Sequence, residues 1–298
     1  MVDVFGIVRI AEQFLCYTIS MMRIGPSGND ELFYEQGGKG TLDGIPWVRG
    51  LGLNAFEISF GRGIRMSEET ATQIGEQAKR NDVQVSVHAP YYINFGNDEL
   101  FDKNVGYLEG SLKTLKALGG QRLVVHLGYQ GKASREEAIE KVRGSLKRAI
   151  DILDGKGLSD YLMCIEVMGK YTEIGNVEEI CDLCSVDRRV IPCIDFGHVN
   201  CLLQGGLQTN PNKIVEIMNE IEAAIGFEKF SKMHIHWSAI VFGKKGEYKH
   251  TILDDKEWVF DFAPLARVIR EKKISPTIIC ESKGIMAQDA LKLLTFFG

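Results

Sequence analysis

The stretch Val85-Ser-Val-His-Ala-Pro-Tyr-Tyr-Ile-Asn94 joins a β-branched run to a turn that begins at Pro90. β-branched residues favour extended backbone and proline interrupts it, so the stretch predicts a buried strand that delivers His88 into the following loop. Seven other short apolar runs are also followed by loop residues, and five of them end at or beside His, Asp or Glu. All six histidines lie near these run ends or in the loops after them.

The eight runs are nearly continuous in hydrophobicity, which is typical of strands buried on both faces of a parallel sheet. They are Met22 to Ile24, Ala55 to Phe60, Val83 to Val87, Leu123 to Val125, Leu162 to Val167, Val190 to Ile194, Met233 to Ile235 and Thr277 to Cys280. The segments between most of them have helical periodicity. This alternation favours a single (β/α)8 TIM barrel over residues 22–298, with residues 1–21 as an N-terminal extension of uncertain structure.

Composition narrows the classes of function. The chain has 298 residues, 45% hydrophobic and 25% charged, and no linker-like segment divides it. Its net charge of −5 gives no global attraction to nucleic acid, so DNA binding would need a local basic patch. There is no GxGxxG or GxxxxGK[ST] phosphate-binding motif. Arg9, Glu12 and Gln13 interrupt the apolar N-terminal residues, so we expect no membrane helix there.

The seven cysteines are odd in number and have no disulfide-framework spacing, which predicts a reducing, cytoplasmic setting. Cys181 and Cys184 form a CxxC motif, but with Ile180 they make one apolar helical face. We therefore predict a role in the core rather than a metal or redox site.

The active site of a TIM barrel gathers at the carboxyl ends of its strands, at the C-terminal face. Taken singly, a histidine or carboxylate there is commonly structural. Together they would be costly to desolvate unless cations compensate, which predicts divalent metal ions. Imidazole and carboxylate ligands suit zinc, manganese or iron, and a pair of ions would activate water for phosphoester hydrolysis. The candidates are His88, His126, Glu166, Asp195, His198, His234, His236, His250 and Glu281.

Six segments carry a family resemblance in their order and spacing. They are Ser86-Val-His-Ala-Pro-Tyr-Tyr-Ile-Asn94, Val124-Val-His-Leu-Gly128, Ile165-Glu-Val167, Cys193-Ile-Asp-Phe-Gly-His198, Met233-His-Ile-His-Trp237 and Cys280-Glu-Ser282. From about Met22 to Glu281, the chain resembles the endonuclease IV family of apurinic/apyrimidinic endonucleases. That resemblance implies a TIM barrel with two to three zinc ions, manganese being the alternative metal. It also implies cleavage of double-stranded DNA on the 5′ side of an abasic site.

The resemblance also implies a role for each matching residue. His88 and His126 would hold one zinc, which Glu166, the catalytic carboxylate, would bridge to a second. The second zinc would be completed by Asp195, His234 and Glu281, and the third would be bound by His198 and His250.

The sequence departs from the family pattern at two places. Tyr248 stands where the family has an aspartate of the third site, so Glu247 could replace that ligand, or the third ion could be weak or absent. The dipeptide His236-Trp237 stands where the family has Asn-Asp. The additional imidazole of His236 could be a substitute ligand or a phosphate contact.

Substrate contacts are expected at the barrel mouth. Tyr91 and Tyr92 follow His88 and could stack on bases around a flipped nucleotide, or could simply cover the rim. Arg62 and the Gly243-Lys-Lys-Gly246 segment, with Lys244 and Lys245, could bind phosphates or form solvated turns. The expected partner is abasic double-stranded DNA, bound by a monomer.

Two other classes of function stay open on the sequence alone. Glu166, Asp195, His234 and Glu281 would suffice for a xylose-isomerase-like sugar isomerase or epimerase with one divalent metal. Against this, His88, His126 and His198 would then have no metal to bind. A non-catalytic barrel that binds metal or DNA is the third interpretation.

Overall fold

All eight apolar runs form strands of one parallel sheet, so the predicted TIM barrel is confirmed. The computed structural model describes residues 22–297; the predicted N-terminal extension lies outside this range. The barrel strands are β1 (Arg23–Pro26), β2 (Ala55–Ser59), β3 (Gln84–His88), β4 (Arg122–Val125), β5 (Leu162–Glu166), β6 (Val190–Asp195), β7 (His234–Trp237) and β10 (Thr277–Cys280). Their order around the sheet is β1-β10-β7-β6-β5-β4-β3-β2.

The barrel closes between β1 and β2 through few contacts. The Asn54 side chain accepts from the Ile24 amide at 2.9 Å and donates to the Met22 carbonyl at 2.8 Å. A single parallel bridge pairs Ser27 with Glu57. A Cβ at Gly25 would lie 1.7 Å from the Ala55 carbonyl oxygen, so glycine is needed for this close approach.

Helices cover the outside of the barrel. The longer ones are Thr41–Gly50, Glu68–Arg80, Phe101–Ala117, Arg135–Gly155, Lys213–Phe230, Ala263–Lys272 and Met286–Leu294. The shorter ones are Glu31–Glu35, Val177–Leu183, Phe196–Leu202 and Gly206–Thr209, with 3-10 turns at Asp98–Leu100 and Cys184–Val186. Thr41–Gly50 was not predicted from the sequence, because Gly44 and Pro46 lower its helix propensity. The burial of Ile45 and Val48 against the barrel stabilises this helix and offsets its low propensity.

The main hydrophobic core lies between the strands and these helices. Cys181 and Cys184 belong to it, and burial raises the pKa of the Cys181 thiol to about 12. Their predicted role in the core is therefore confirmed. Within residues 22–297, no helix is both long and apolar enough to cross a membrane.

An antiparallel hairpin follows β7 and folds over the carboxyl end of the barrel. Its strands are β8 (Ile240–Gly243) and β9 (Gly246–His250), in a stretch that the sequence analysis treats as a loop. Gly246 bridges to Lys170 in the loop after β5, and a Cβ at Gly246 would lie 2.2 Å from the Gly169 carbonyl oxygen. This close packing brings Glu247 to the barrel mouth.

Candidate metal centre

Glu166, the last residue of β5, lies at the middle of the histidine cluster. Its Oε2 is 3.0 Å from Nε2 of His88, at the end of β3, and 2.9 Å from Nε2 of His126, which follows β4. Its Oε1 is 3.0 Å from Nδ1 of His236 in β7. A single buried carboxylate therefore contacts imidazoles from three strands.

A second set of ligands is formed by Glu166, Asp195, His236 and Glu281. Each residue offers one ligand atom, and these atoms lie within 4.8 Å of one another. Glu281 follows β10, and its Oε2 lies 3.3 Å from Nδ1 of His236. The first set, His88 with His126 and Glu166, satisfies the same criterion, so Glu166 belongs to both.

The third set contains Asp195, His198 and His250. Asp195 caps the helix Phe196–Leu202 by accepting from the His198 amide at 2.9 Å, which fixes both residues at the mouth. Glu247 in β9 extends this set: its Oε2 lies 3.4 Å from Nε2 of His198, and its Oε1 lies 3.8 Å from Nε2 of His250. Tyr248 is 66% exposed. Of the two residues considered for this position, Glu247 is the one that faces the imidazoles.

Hydrogen bonds to backbone carbonyls indicate which nitrogen of two histidines is free to bind metal. Nδ1 of His88 lies 2.9 Å from the Ala89 carbonyl oxygen, and Nδ1 of His198 lies 2.9 Å from that of Val167. Because a carbonyl only accepts, Nδ1 carries the proton in a neutral ring and Nε2 presents its lone pair. Each Nε2 then faces a carboxylate, which is the arrangement that a cation between the two would stabilise.

The electrostatics of the centre also fit a cation. Burial alone would lower the pKa of His88, but the hydrogen bond and charge of Glu166 raise it to about 9. Burial would raise the pKa of Glu166, yet the charges of His236 and His126 hold it well below its usual range. Protons on the buried imidazoles thus offset the negative charge of the carboxylates. Divalent metal ions can displace such protons when they bind. Oδ2 of Asp195 has no hydrogen-bond partner among the described residues, so it is also available.

His234 lies away from these sets. It is fully buried in the barrel lumen, where its Nε2 is 3.1 Å from Oε2 of Glu57. His236 occupies the place among the ligand sets that the family resemblance assigns to His234. Glu57 was missed by the sequence analysis, although a carboxylate inside the run Ala55 to Phe60 was a signal that it had a buried partner.

Aromatic and basic side chains surround the mouth. Tyr91 and Tyr92 are about half exposed and their ring centroids lie 4.4 Å apart, so they form an accessible platform beside the cavity. Tyr129 and Lys170 also line the cavity, and the sequence analysis did not identify them. Tyr129 lies three residues beyond His126, the spacing that separates Tyr91 from His88, which was an available signal.

The predicted phosphate contacts are all exposed. Arg62 follows Gly61, which lines the cavity. The hydrogen bond with Tyr91 raises the pKa of Tyr92, and the positive charge of Arg62 partly offsets this rise. Lys244 and Lys245 form the tip of the β8–β9 hairpin, three and two residues before Glu247. These side chains are accessible to a ligand at the carboxyl end of the barrel.

The cavity above the centre has a volume of about 320 Å³ and is lined by residues of all three sets. Fold and site together define a TIM-barrel protein with a histidine–carboxylate centre that could hold metal ions. The Xylose isomerase-like TIM barrel model matches residues 45–295, and the chain belongs to that family.

Two related sequences are similar to this chain over much of its length. The chain is 32% identical over 253 residues to an uncharacterized protein of Methanocaldococcus jannaschii, which covers 84% of this chain and 89% of that one. It is 29% identical over 160 residues to a probable endonuclease 4 of Shouchella clausii, and this match covers 51% of the chain and about half, 52%, of the relative.

Two solved structures share the fold. Endonuclease IV from Thermus thermophilus has a TM-score of 0.65 at 21% identity, over 87% of this chain and 95% of that one. A D-tagatose 3-epimerase-like protein has a TM-score of 0.63 at 19% identity, over 82% and 88%. The resemblance to the endonuclease IV family that the sequence motifs indicate is confirmed.

Proposed function

We propose that this protein is a metal-dependent DNA repair endonuclease that hydrolyses the phosphodiester on the 5′ side of an abasic site. The observation that carries the proposal is the overlap of three ligand sets at one barrel mouth, joined by Glu166 and Asp195. An enzyme with one metal would need only one of these sets. Several closely spaced ions suit phosphodiester chemistry, in which charge develops on both the attacking and the leaving oxygen.

The residues for two to three zinc ions, with manganese as the alternative, can be assigned within the proposal. His88, His126 and Glu166 would hold one; Glu166, Asp195, His236 and Glu281 a second; and Asp195, His198, His250 and Glu247 a third. When bound, the ions would activate water and neutralise phosphate charge. Glu166 would act as the catalytic carboxylate, because its burial and its contacts with His88 and His236 fix its two oxygens in different sets.

Contacts with DNA would come from the rim of the cavity. Tyr91 and Tyr92 are accessible for stacking beside a flipped nucleotide. Arg62, Lys244 and Lys245 would bind phosphates, because they are exposed and positively charged. Monomeric binding of DNA and a cytoplasmic location are part of the same proposal.

The decisive experiment is nicking of a duplex oligonucleotide that contains a single abasic site, assayed with zinc- or manganese-loaded protein. We expect one incision 5′ to the site, no incision of the intact duplex, and loss of activity with a chelator. Binding with preference for the abasic duplex but without incision would favour the non-catalytic interpretation. A K244A/K245A variant should bind both duplexes more weakly and with a shallower salt dependence.

A sugar isomerase or epimerase with one metal is the second candidate. The set Glu166, Asp195, His236 and Glu281 alone offers four ligand atoms for one ion, and a cavity of about 320 Å³ suits a small ligand. A panel of ketoses incubated with the same metal-loaded protein separates the two functions. Epimerisation of a ketose without incision of DNA, by protein that binds one metal ion per chain, would contradict the nuclease proposal and support the epimerase.

A further inference from the structure

A polar cluster fills the barrel lumen next to the metal centre. It consists of Glu57 in β2, Ser86 in β3, and His234 and His236 in β7, all of them buried. Ser86 donates its hydroxyl hydrogen to Oε2 of Glu57 at 2.7 Å. Oε2 of the same carboxylate lies 3.1 Å from Nε2 of His234, and Oε1 lies 3.0 Å from Nε2 of His236.

The ring of His236 spans the boundary between this cluster and the metal centre. Its Nδ1 faces Glu166 and Glu281, at 3.0 Å and 3.3 Å, while its Nε2 faces Glu57. A neutral imidazole carries one proton, so Nδ1 can offer a lone pair to a metal only when the proton is on Nε2. An acceptor at Nε2 would select that tautomer.

His88 and His198 follow the same rule through backbone carbonyls, which accept from Nδ1 and leave Nε2 to face Glu166 and Glu247, respectively. For His236, Glu57 occupies the corresponding position. Oε1 of Glu57 and Nε2 of His236 form no hydrogen bond within residues 22–297, although the two atoms lie 3.0 Å apart and both residues are fully buried. A proton on Nε2 of His236 would satisfy both atoms through this contact.

The remaining members of the cluster hold Glu57 in place. Nε2 of His234 lies 3.1 Å from Oε2 of Glu57, so a neutral His234 ring can present one hydrogen to this carboxylate. Three potential donors, on Ser86, His234 and His236, therefore surround the Glu57 carboxylate, which has lone pairs for all of them.

We propose that Glu57 is a positioning residue that accepts the Nε2 hydrogen of His236 and so directs the Nδ1 lone pair of that ring at the metal shared with Glu166 and Glu281. The inference rests on the metal centre of the proposed function. Carboxylates that orient a ligating histidine in this way commonly contribute 10- to 100-fold in metal affinity.

The competing arrangement is a metal ion inside the lumen itself. Cys193, His234 and His236 could also hold an ion, since their ligand atoms lie within 4.8 Å of one another. In that case Nε2 of His236 would bind metal and could not donate to Glu57. Cobalt distinguishes the two, because a thiolate ligand gives an intense charge-transfer absorption that histidine and carboxylate ligands do not.

The first test is titration of the metal-free full-length protein with Co²⁺ and Zn²⁺, for wild type and Glu57→Gln. We expect Glu57→Gln to weaken one binding step by about 10- to 100-fold and to alter the cobalt d–d spectrum. Glu179→Gln is the matched control: it removes the charge of a buried glutamate that bonds Arg135 and contacts no histidine. It should change metal affinity by less than about twofold, even where it lowers thermal stability.

The second test is the ¹⁵N NMR tautomer of His236 in wild-type zinc-loaded protein, which does not depend on a variant that folds. A proton on Nε2 supports the inference; a proton on Nδ1, a thiolate–cobalt band, or unchanged affinity in Glu57→Gln would overturn it. These failures leave the proposed function intact. Absence of any measurable Co²⁺ or Zn²⁺ binding by wild type would instead remove the metal centre, and the inference with it.

Discussion

Oε1 of Glu166 lies 3.0 Å from Nδ1 of His236, although the two residues are 70 positions apart in the chain. The other carboxylate oxygen contacts His88 and His126, so Glu166 joins two candidate ligand sets. Even an isosteric substitution of Glu166 should therefore change both metal binding and activity.

We therefore expect Glu166→Gln to lower incision of an abasic duplex by at least about 10²-fold, the loss typical when a group that stabilises transition-state charge is removed. It should also reduce the bound metal by one equivalent, because an amide is a weaker ligand for divalent metals than a carboxylate. Incision rates and metal content by mass spectrometry test both effects. Full activity in this variant would contradict the assignment of Glu166 as the catalytic carboxylate.

The two histidines of β7 should respond differently to substitution. His236→Ala is expected to remove one equivalent of metal, because its Nδ1 faces Glu166 and Glu281. His234→Ala should keep the metal but lower the free energy of unfolding by about 1–3 kcal/mol, because it removes one polar partner of the buried Glu57 carboxylate. Metal analysis and urea unfolding of both variants decide between them. The reverse pattern would restore the ligand assignment that the family resemblance implies.

Register explains why the sequence alone could not assign these two residues. Both point into the lumen, because side chains two apart in a strand share a face. β7 pairs with β6 so that His236 lies opposite Asp195 and His234 opposite Cys193. Only this pairing places His236 level with the other candidate ligands. The strands themselves were predictable, since their apolar runs need no knowledge of register.

The hairpin shows a second limit of sequence reasoning. Whether Glu247 or Tyr248 enters the site depends on alternation within β9, where neighbouring side chains point to opposite faces. A register shift between Val241 and Phe242 changes the pairing with β8, and the packing of Gly246 against Gly169 fixes the depth of β9. Neither feature is encoded in a local pattern of hydrophobicity.

Glu247 should therefore bind metal and Tyr248 should not. We expect Glu247→Gln to weaken or abolish binding of the third ion, because its carboxylate lies between His198 and His250. Tyr248→Phe serves as the control and should leave metal stoichiometry unchanged. Competition with a colorimetric chelator measures both. Equal loss in the two variants would indicate that the hairpin acts by its shape and not through the Glu247 carboxylate.

Tyr91 and Tyr92 are expected to contribute to DNA affinity without affecting the metal. Replacing either with alanine should weaken binding of an abasic duplex by about 1–3 kcal/mol, the usual contribution of one stacked base. Fluorescence anisotropy of a labelled duplex gives the change. Phe227→Ala is the matched control, because Phe227 is equally exposed but lies on the helix that leads into β7, at the opposite end of the barrel. Comparable losses in the control would argue against stacking at the mouth.

Arg189, just before β6, provides a prediction about stability in acid. Its guanidinium bonds Asp187 at 2.9 Å and Asp154 at 2.5 Å. The hydrogen bond from Arg189 lowers the pKa of Asp187 from 3.8 to about 2. A group with a depressed pKa in the folded state stabilises the protein above its unfolded pKa, and this contribution is lost as the pH falls through the folded value.

We expect the free energy of unfolding of wild-type metal-free protein to exceed that of Asp187→Asn by up to about 2 kcal/mol at pH 5, since one pKa unit corresponds to about 1.4 kcal/mol. The difference should shrink between about pH 4 and pH 2, as Asp187 becomes protonated in the folded protein. Urea unfolding at several pH values measures it. In an Arg189→Gln background the pH dependence should become smaller, because the side chain that lowers the pKa of Asp187 most is gone, while the amide of residue 189 still donates to Oδ1 of Asp187. A difference that stays constant from pH 5 to pH 2 would show that the Asp187 carboxylate contributes through packing and not through its charge.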